Sequence, residues 1–97
     1  MEELKKLEEY LDAHGIKYER FDSEYLEDEN GRIVSADRHQ ITVRNDKGKY
    51  MWDAICQQWS YGHRQGLLEI AGSISRAKKD VEGYLTAADV IERIENC

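Results

Sequence analysis

The chain is 97 residues long, 40 % hydrophobic and 35 % charged, with a formal net charge of −6. That length allows one domain with a modest core. No apolar run approaches the roughly 20 residues of a membrane span, and the charged start Met1-Glu2-Glu3-Leu4-Lys5-Lys6 lacks the apolar stretch of a secretory signal, so a single cytoplasmic domain over residues 1–97 is expected.

Glu2 to His14 reads as an amphipathic helix. Leu4, Leu7 and Leu11 form one stripe at spacings of three and four, with Tyr10 at its edge. Gly15 followed by Ile16 marks a left-handed glycine cap, and His14 suits the last carbonyls. Ile16 to Phe21 is predicted as a strand. Asp22 to Asn30 is dense in acid and is read as a solvated loop ending in an Asn30-Gly31 turn. Its carboxylates lack the register of a calcium loop.

The middle of the chain predicts a β-hairpin. His39 to Arg44 has strand composition, Asn45-Asp46-Lys47-Gly48 is a turn, and Lys49 to Cys56 returns. On the return strand Tyr50, Trp52, Ala54 and Cys56 share one face, and Met51, Asp53, Ile55 and Gln57 the other. Neither face is wholly polar, which places this strand centrally. Gln58 to Gly66 is a loop. Leu67 to Ala71 is short and apolar, bracketed by glycines that favour strand over helix. Ser75 to Asp80 is a polar turn and Val81 to Leu85 is extended. Thr86-Ala87-Ala88-Asp89 opens a last helix with Asp in the capping-box position, Val90, Ile91 and Ile94 facing inward. The expected class is α+β: an N-terminal helix, a small, mostly antiparallel sheet around a central β-hairpin, and a C-terminal helix. Both helices cover one sheet face, and the other is left to water or a partner.

Charge is unevenly spread. Residues 1–30 carry −7, residues 31–50 carry +3 and residues 51–97 carry −2. An acidic chain repels phosphate, so direct nucleic-acid binding is not expected. Arg32, Arg38, Arg44, Lys47 and Lys49 make a local basic strip, read as a solvated hairpin surface. Cys56 and Cys97 are too few for a disulfide framework or a zinc site, so no metal and no cofactor is expected. A Cys56 thiol activated by His39 or His63, with Asp53 orienting the base, is the available nucleophilic pairing. A mid-strand cysteine is more often a small hydrophobe. The spacing of Gly62, Gly66 and Gly72 fits no phosphate cradle and suits turns and close backbone approach.

Two groups of residues point to binding. Trp59, Tyr61, His63 and Arg64 crowd one loop, in residue types that dominate interface hot spots; Trp52 is assigned to the core. Glu24, Glu27 and Asp28 form an acidic group able to occupy the basic groove of a nucleic-acid-binding protein.

The runs Trp52-Asp53-Ala54-Ile55-Cys56, Tyr61-Gly62-x-x-x-Gly66-Leu67-Leu68-Glu69-Ile70 and Glu82-Gly83-Tyr84-Leu85-Thr86-Ala87-x-Asp89-Val90-Ile91 carry a resemblance over residues 39–96. The chain resembles a family of short hypothetical proteins of phages and prophages of gut Firmicutes. The family has no assigned activity, so the resemblance implies context, a small accessory protein of a mobile element, and no site residue. The expected function is therefore non-enzymatic protein binding. A thiol-dependent enzyme and a purely structural homodimer are the alternatives.

Overall fold

The structure is a computed structural model that describes residues 2–57, 63–76 and 81–96. Helix α1 (Glu2–Ala13) is followed by strands β1 (Glu19–Ser23), β2 (Leu26–Glu27), β3 (Ile33–Ser35), β4 (Arg38–Arg44) and β5 (Tyr50–Gln57). A 3₁₀ turn (His63–Gln65), β6 (Leu68–Gly72), β7 (Glu82–Leu85) and helix α2 (Ala87–Glu95) complete the described elements. The class is α+β, as the sequence predicts. Five strands form an antiparallel sheet in the order β1-β4-β5-β6-β7, and β2 and β3 pair separately. Strand β5 is central, and Leu68–Gly72 is strand.

The fold follows from apolar periodicity. Leu4, Leu7 and Leu11 are fully buried, and so are Ile41 of β4, Ala54 and Cys56 of β5, Leu68 and Ile70 of β6, and Val90 of α2. Strands β4, β5 and β6 contribute alternate residues to this layer, which lies between the sheet and the helices. Ile91 and Ile94 pack at its margin. α1 ends in a Schellman motif: Gly15, at φ 65°, donates to the Asp12 carbonyl at 3.2 Å, and Ile16 donates to Leu11 at 2.9 Å. His14 Nδ1 lies 2.9 Å from the Tyr10 carbonyl, a capping contact. α2 opens with the predicted capping box, in which Asp89 N–H donates to Thr86 Oγ1 at 3.2 Å and Thr86 N–H to Asp89 Oδ2 at 3.0 Å.

The helices lie side by side and point the same way. Glu3 accepts a hydrogen bond from Ala87 N at 2.7 Å, and Tyr10 donates to Glu95 at 3.2 Å. Two positive helix ends are thereby neighbours, and Glu3 sits between them. The Ala87 amide holds its carboxyl below the usual range. α2 is tied to β7 by Arg93, which reaches Glu82 at 3.0 Å and Glu92 at 2.7 Å; Arg76 reaches Glu92 at 2.6 Å.

Three expectations need correction. The first strand begins at Glu19 rather than Ile16, because the Schellman motif spends Ile16 on the helix end. Asp22 to Asn30 is not a loop: it finishes β1 and supplies β2. Tyr50 does not share the face of Trp52. The ladder skips Met51 between the Val43–Trp52 and Arg44–Tyr50 pairs, and this irregularity turns the Tyr50 hydroxyl to Asp53 at 2.5 Å, on the face away from the helices. The polar turn at residues 77–80 lies outside the described residues.

Gly72 shows why close approach needs glycine. It pairs with Trp52 at φ 95°. A Cβ there would lie 2.4 Å from the Met51 carbonyl oxygen and 2.7 Å from Trp52 Cα. Gly72→Ala is expected to cost about 1–3 kcal/mol, as overpacking does, and Leu7→Ala about 3 kcal/mol through its cavity; urea denaturation checks both. Hydrogen bonding to Arg93 holds the Glu82 carboxyl below its ordinary 4.5. A carboxylate lowered on folding adds stability above its unfolded pKa and loses it as pH falls through the folded value. Glu82→Gln is thus expected to cost about 1 kcal/mol at neutral pH. In denaturation curves across the acid range, that deficit should vanish well below pH 4.5.

Candidate protein-docking site

The β4–β5 hairpin and the β2–β3 pair lie at opposite ends of β4. Ser23 faces Arg38 at one end of the ladder, and Arg44 faces Tyr50 at the other. Beyond Ser23 and Arg38 the chain continues as a two-stranded arm, Leu26 opposite Ser35 and Glu27 opposite Ile33, with one irregularity between them. The principal extents of 46 × 26 × 26 Å reflect this layout. Seven residues of β4 span only about 23 Å.

The arm's base is fastened by polar contacts. Ser23 Oγ donates to the Ala36 carbonyl at 2.6 Å, and Ser35 Oγ donates to that of Glu24. His39 bridges the two sides, Nδ1 lying 2.7 Å from Asp22 and Nε2 3.1 Å from Asp37. The His39 bond, aided by Arg20, holds the Asp22 carboxyl below its usual range. The arm's turn is built by Asp28. Its Oδ1 accepts from the amides of Asn30 and Arg32, both at 2.9 Å. Asp28 is therefore a turn builder, which separates it from Glu24 and Glu27.

The arm's surface is apolar with an acidic collar. Leu26 is 56 % exposed and Val34 62 %, and Tyr25 and Ile33 are also exposed. Phe21 at the base is half exposed beneath the Arg38 guanidinium, 5.1 Å from the ring centre. Among the described residues, five of the eight exposed large hydrophobics thus lie between Phe21 and Val34. Exposed apolar side chains gathered on one short strand pair mark a candidate contact surface. Glu24, Glu27, Asp28 and Glu29 against Arg32 leave this arm at −3.

At the far end of the sheet a groove of about 510 Å³ runs between the segment after α1 and the end of β4. Gly15, Ile16, Lys17 and Tyr18 line one side and Thr42 and Arg44 the other. Lys17, Arg44, Lys47 and Lys49 against Glu19 and Asp46 leave this end at +2. The basic strip expected from the sequence is accordingly divided. Arg32 belongs to the arm, Arg38 to the open sheet face, and Arg44, Lys47 and Lys49 to the hairpin end.

Among the other candidates, Trp59 and Tyr61 lie outside the described residues. His63 opens the 3₁₀ turn and Arg64, within it, is exposed. The thiol pairing with His39 does not form. Cys56 sits directly across from His39 in the ladder but is fully buried, and burial, with Asp37 adding to it, pushes its thiol up. Both His39 nitrogens face carboxylates. Asp53 lies on the opposite sheet face, accepting from Gln40 at 2.9 Å and from Tyr50. Among the described residues, no group of three or more His, Cys, Asp or Glu can hold a metal ion, and no helix is long and apolar enough to cross a membrane.

The apolar half of the arm is what sequence reasoning missed. Tyr25-Leu26 and Ile33-Val34 flank the Asn30-Gly31 turn, a hairpin signal hidden by the density of carboxylates. Comparison with protein-family models, curated proteins and solved structures finds no match.

In a Cys97→Ser background, Cys56 is expected to resist iodoacetamide in the folded chain and to react once urea unfolds it. Mass-resolved labelling checks this. Labelling of the folded chain at the rate of a free thiol would reopen the enzymatic alternative.

Proposed function

We propose that the chain is a non-enzymatic protein-binding module that docks through the β2–β3 arm. The observation that carries this reading is the exposure of Tyr25, Leu26, Ile33 and Val34 on a strand pair separate from the main sheet. Exposing four large apolar side chains on so few residues costs solubility, and a partner that covers them recovers that cost. The acidic collar selects a partner whose apolar cleft has a basic rim. In its most specific form this partner is a nucleic-acid-binding protein, and the arm fills its basic groove as an inhibitor. The resemblance of residues 39–96 to short phage proteins supports an accessory role of this kind.

Affinity capture from a host lysate tests the reading, with arm variants alongside the natural sequence. The expected result is a basic partner that is held at low salt and released as the screening length falls to about 3 Å near 1 M. Reversing charge at Glu24 and Glu27 should abolish capture, and so should Leu26→Asp with Val34→Asp. Asp28 is left intact because the turn depends on it. Capture that survives both pairs of substitutions would refute arm docking. A partner indifferent to salt would refute the electrostatic form.

A further inference from the structure

We infer that His39 is a pH-operated fastener of the arm. Doubly protonated, its ring ties Asp22 to Asp37 across the arm's base; on losing one proton it releases Asp37 and loosens the arm.

Donor arithmetic carries the inference. His39 Nδ1 lies 2.7 Å from Asp22 Oδ1, and Nε2 lies 3.1 Å from Asp37 Oδ1. A carboxylate only accepts, and a neutral imidazole has a single N–H donor. Both contacts are therefore hydrogen bonds only when the ring carries two protons. The neutral ring aims a lone pair at one of the carboxylates, and the two repel. Asp37 is the one that yields. Its contact is the longer, and Asp22 is also held by Arg20, whose Nη2 lies 3.0 Å away. Arg20 is in turn tied to Glu8 of α1, so the outgoing leg of the arm stays anchored to the helix layer.

Asp37 sits on the returning leg, between β3 and β4. It follows Ala36, whose carbonyl accepts from Ser23 Oγ at 2.6 Å. Movement of Asp37 acts on that bond directly. It also acts on the β2–β3 pair through Ser35, which donates to the Glu24 carbonyl.

The His39 side chain is 24 % exposed, so its proton exchanges with solvent. Fastening requires the second proton. By linkage it is complete at acid pH and is lost as pH rises through roughly 5–8, the range in which histidine changes charge. Of the groups around the ring, Asp22 is held below the usual carboxylate range, and an arginine such as Arg20 keeps its charge throughout. The Cys56 thiol, opposite His39 in the ladder, is pushed up by burial and by Asp37. The chain's amino-terminal charge also acts on that thiol. An α-amino group titrates at about 7.7–8.0, so a His39 variant is needed to separate the two. An arm already ordered loses less entropy on docking, and the fastener thereby makes docking pH-dependent. That consequence rests on the docking reading; the fastener itself is tested on the free chain.

Nitrogen-15 relaxation on the full chain is the test. Order parameters across residues 25–35 are expected at about 0.85 near pH 5.5, as in rigid backbone, and at about 0.6 near pH 8, as in flexible backbone. His39→Gln should abolish the change, giving the same values at both. Asp37→Asn should keep the arm ordered at both, because its side-chain amide can donate to the bare Nε2 of the neutral ring. The ring-nitrogen shifts of the natural chain read the protonation of His39 directly, and they should move over the same pH interval as the order parameters. Arm order that ignores pH in the natural chain, a change that survives His39→Gln or Asp37→Asn, or ring protonation and arm order moving at different pH would each overturn the inference. No partner is present in these measurements, so the lysate capture by the arm variants bears on docking separately.

Discussion

The Leu4–Leu7–Leu11 stripe lies against the inner faces of β4 and β5, and this one apolar layer fixes where every other element can go. A chain of 97 residues has material for one such layer. Because both helices are spent on one side of the sheet, the opposite face is left to polar contacts. The Arg38–Gln40–Asp53–Tyr50 chain of hydrogen bonds crosses that face. Burial and Asp53 together push the Tyr50 hydroxyl up, consistent with a donor locked onto a carboxylate.

The one-sided core also explains the arm. Residues between β1 and β4 have no apolar layer to join, since the helices cover only the body of the sheet. Their apolar side chains consequently stay in water, held by the Ser23–Ala36 and His39–carboxylate contacts at the base and by Asp28 at the turn. Rigidity there comes from polar groups rather than packing. An arm fixed in this way loses less conformational entropy on docking than a loop of the same length.

Much of this was legible in the sequence where local signals agree with burial. The leucine stripe, Gly15, the Asn45–Gly48 turn and the Thr86–Asp89 box each announce their element. The central place of β5 follows from its two mixed faces. What stayed hidden depended on tertiary geometry. The skipped Met51 turns Tyr50 away from the core, and nothing in the alternation of Tyr50 to Cys56 signals it. Asp28 looks like its acidic neighbours until the turn amides are seen to converge on it. Arg32 and Lys49 both lie in the basic stretch of residues 31–50, yet the sheet carries them to opposite ends.

The parallel packing of α1 and α2, fixed by the Glu3–Ala87 and Tyr10–Glu95 bonds, has a bearing on how the chain comes into being. The first helix and the last helix are neighbours, so contacts between them span more than eighty residues of sequence. Such contacts raise contact order and slow folding. During synthesis the leucine stripe can meet β4 and β5 well before α2 emerges, but the layer cannot close until the C-terminal segment leaves the ribosome. The nascent chain thus passes through a stage in which one flank of its core is uncovered. That is the interval in which aggregation competes with folding.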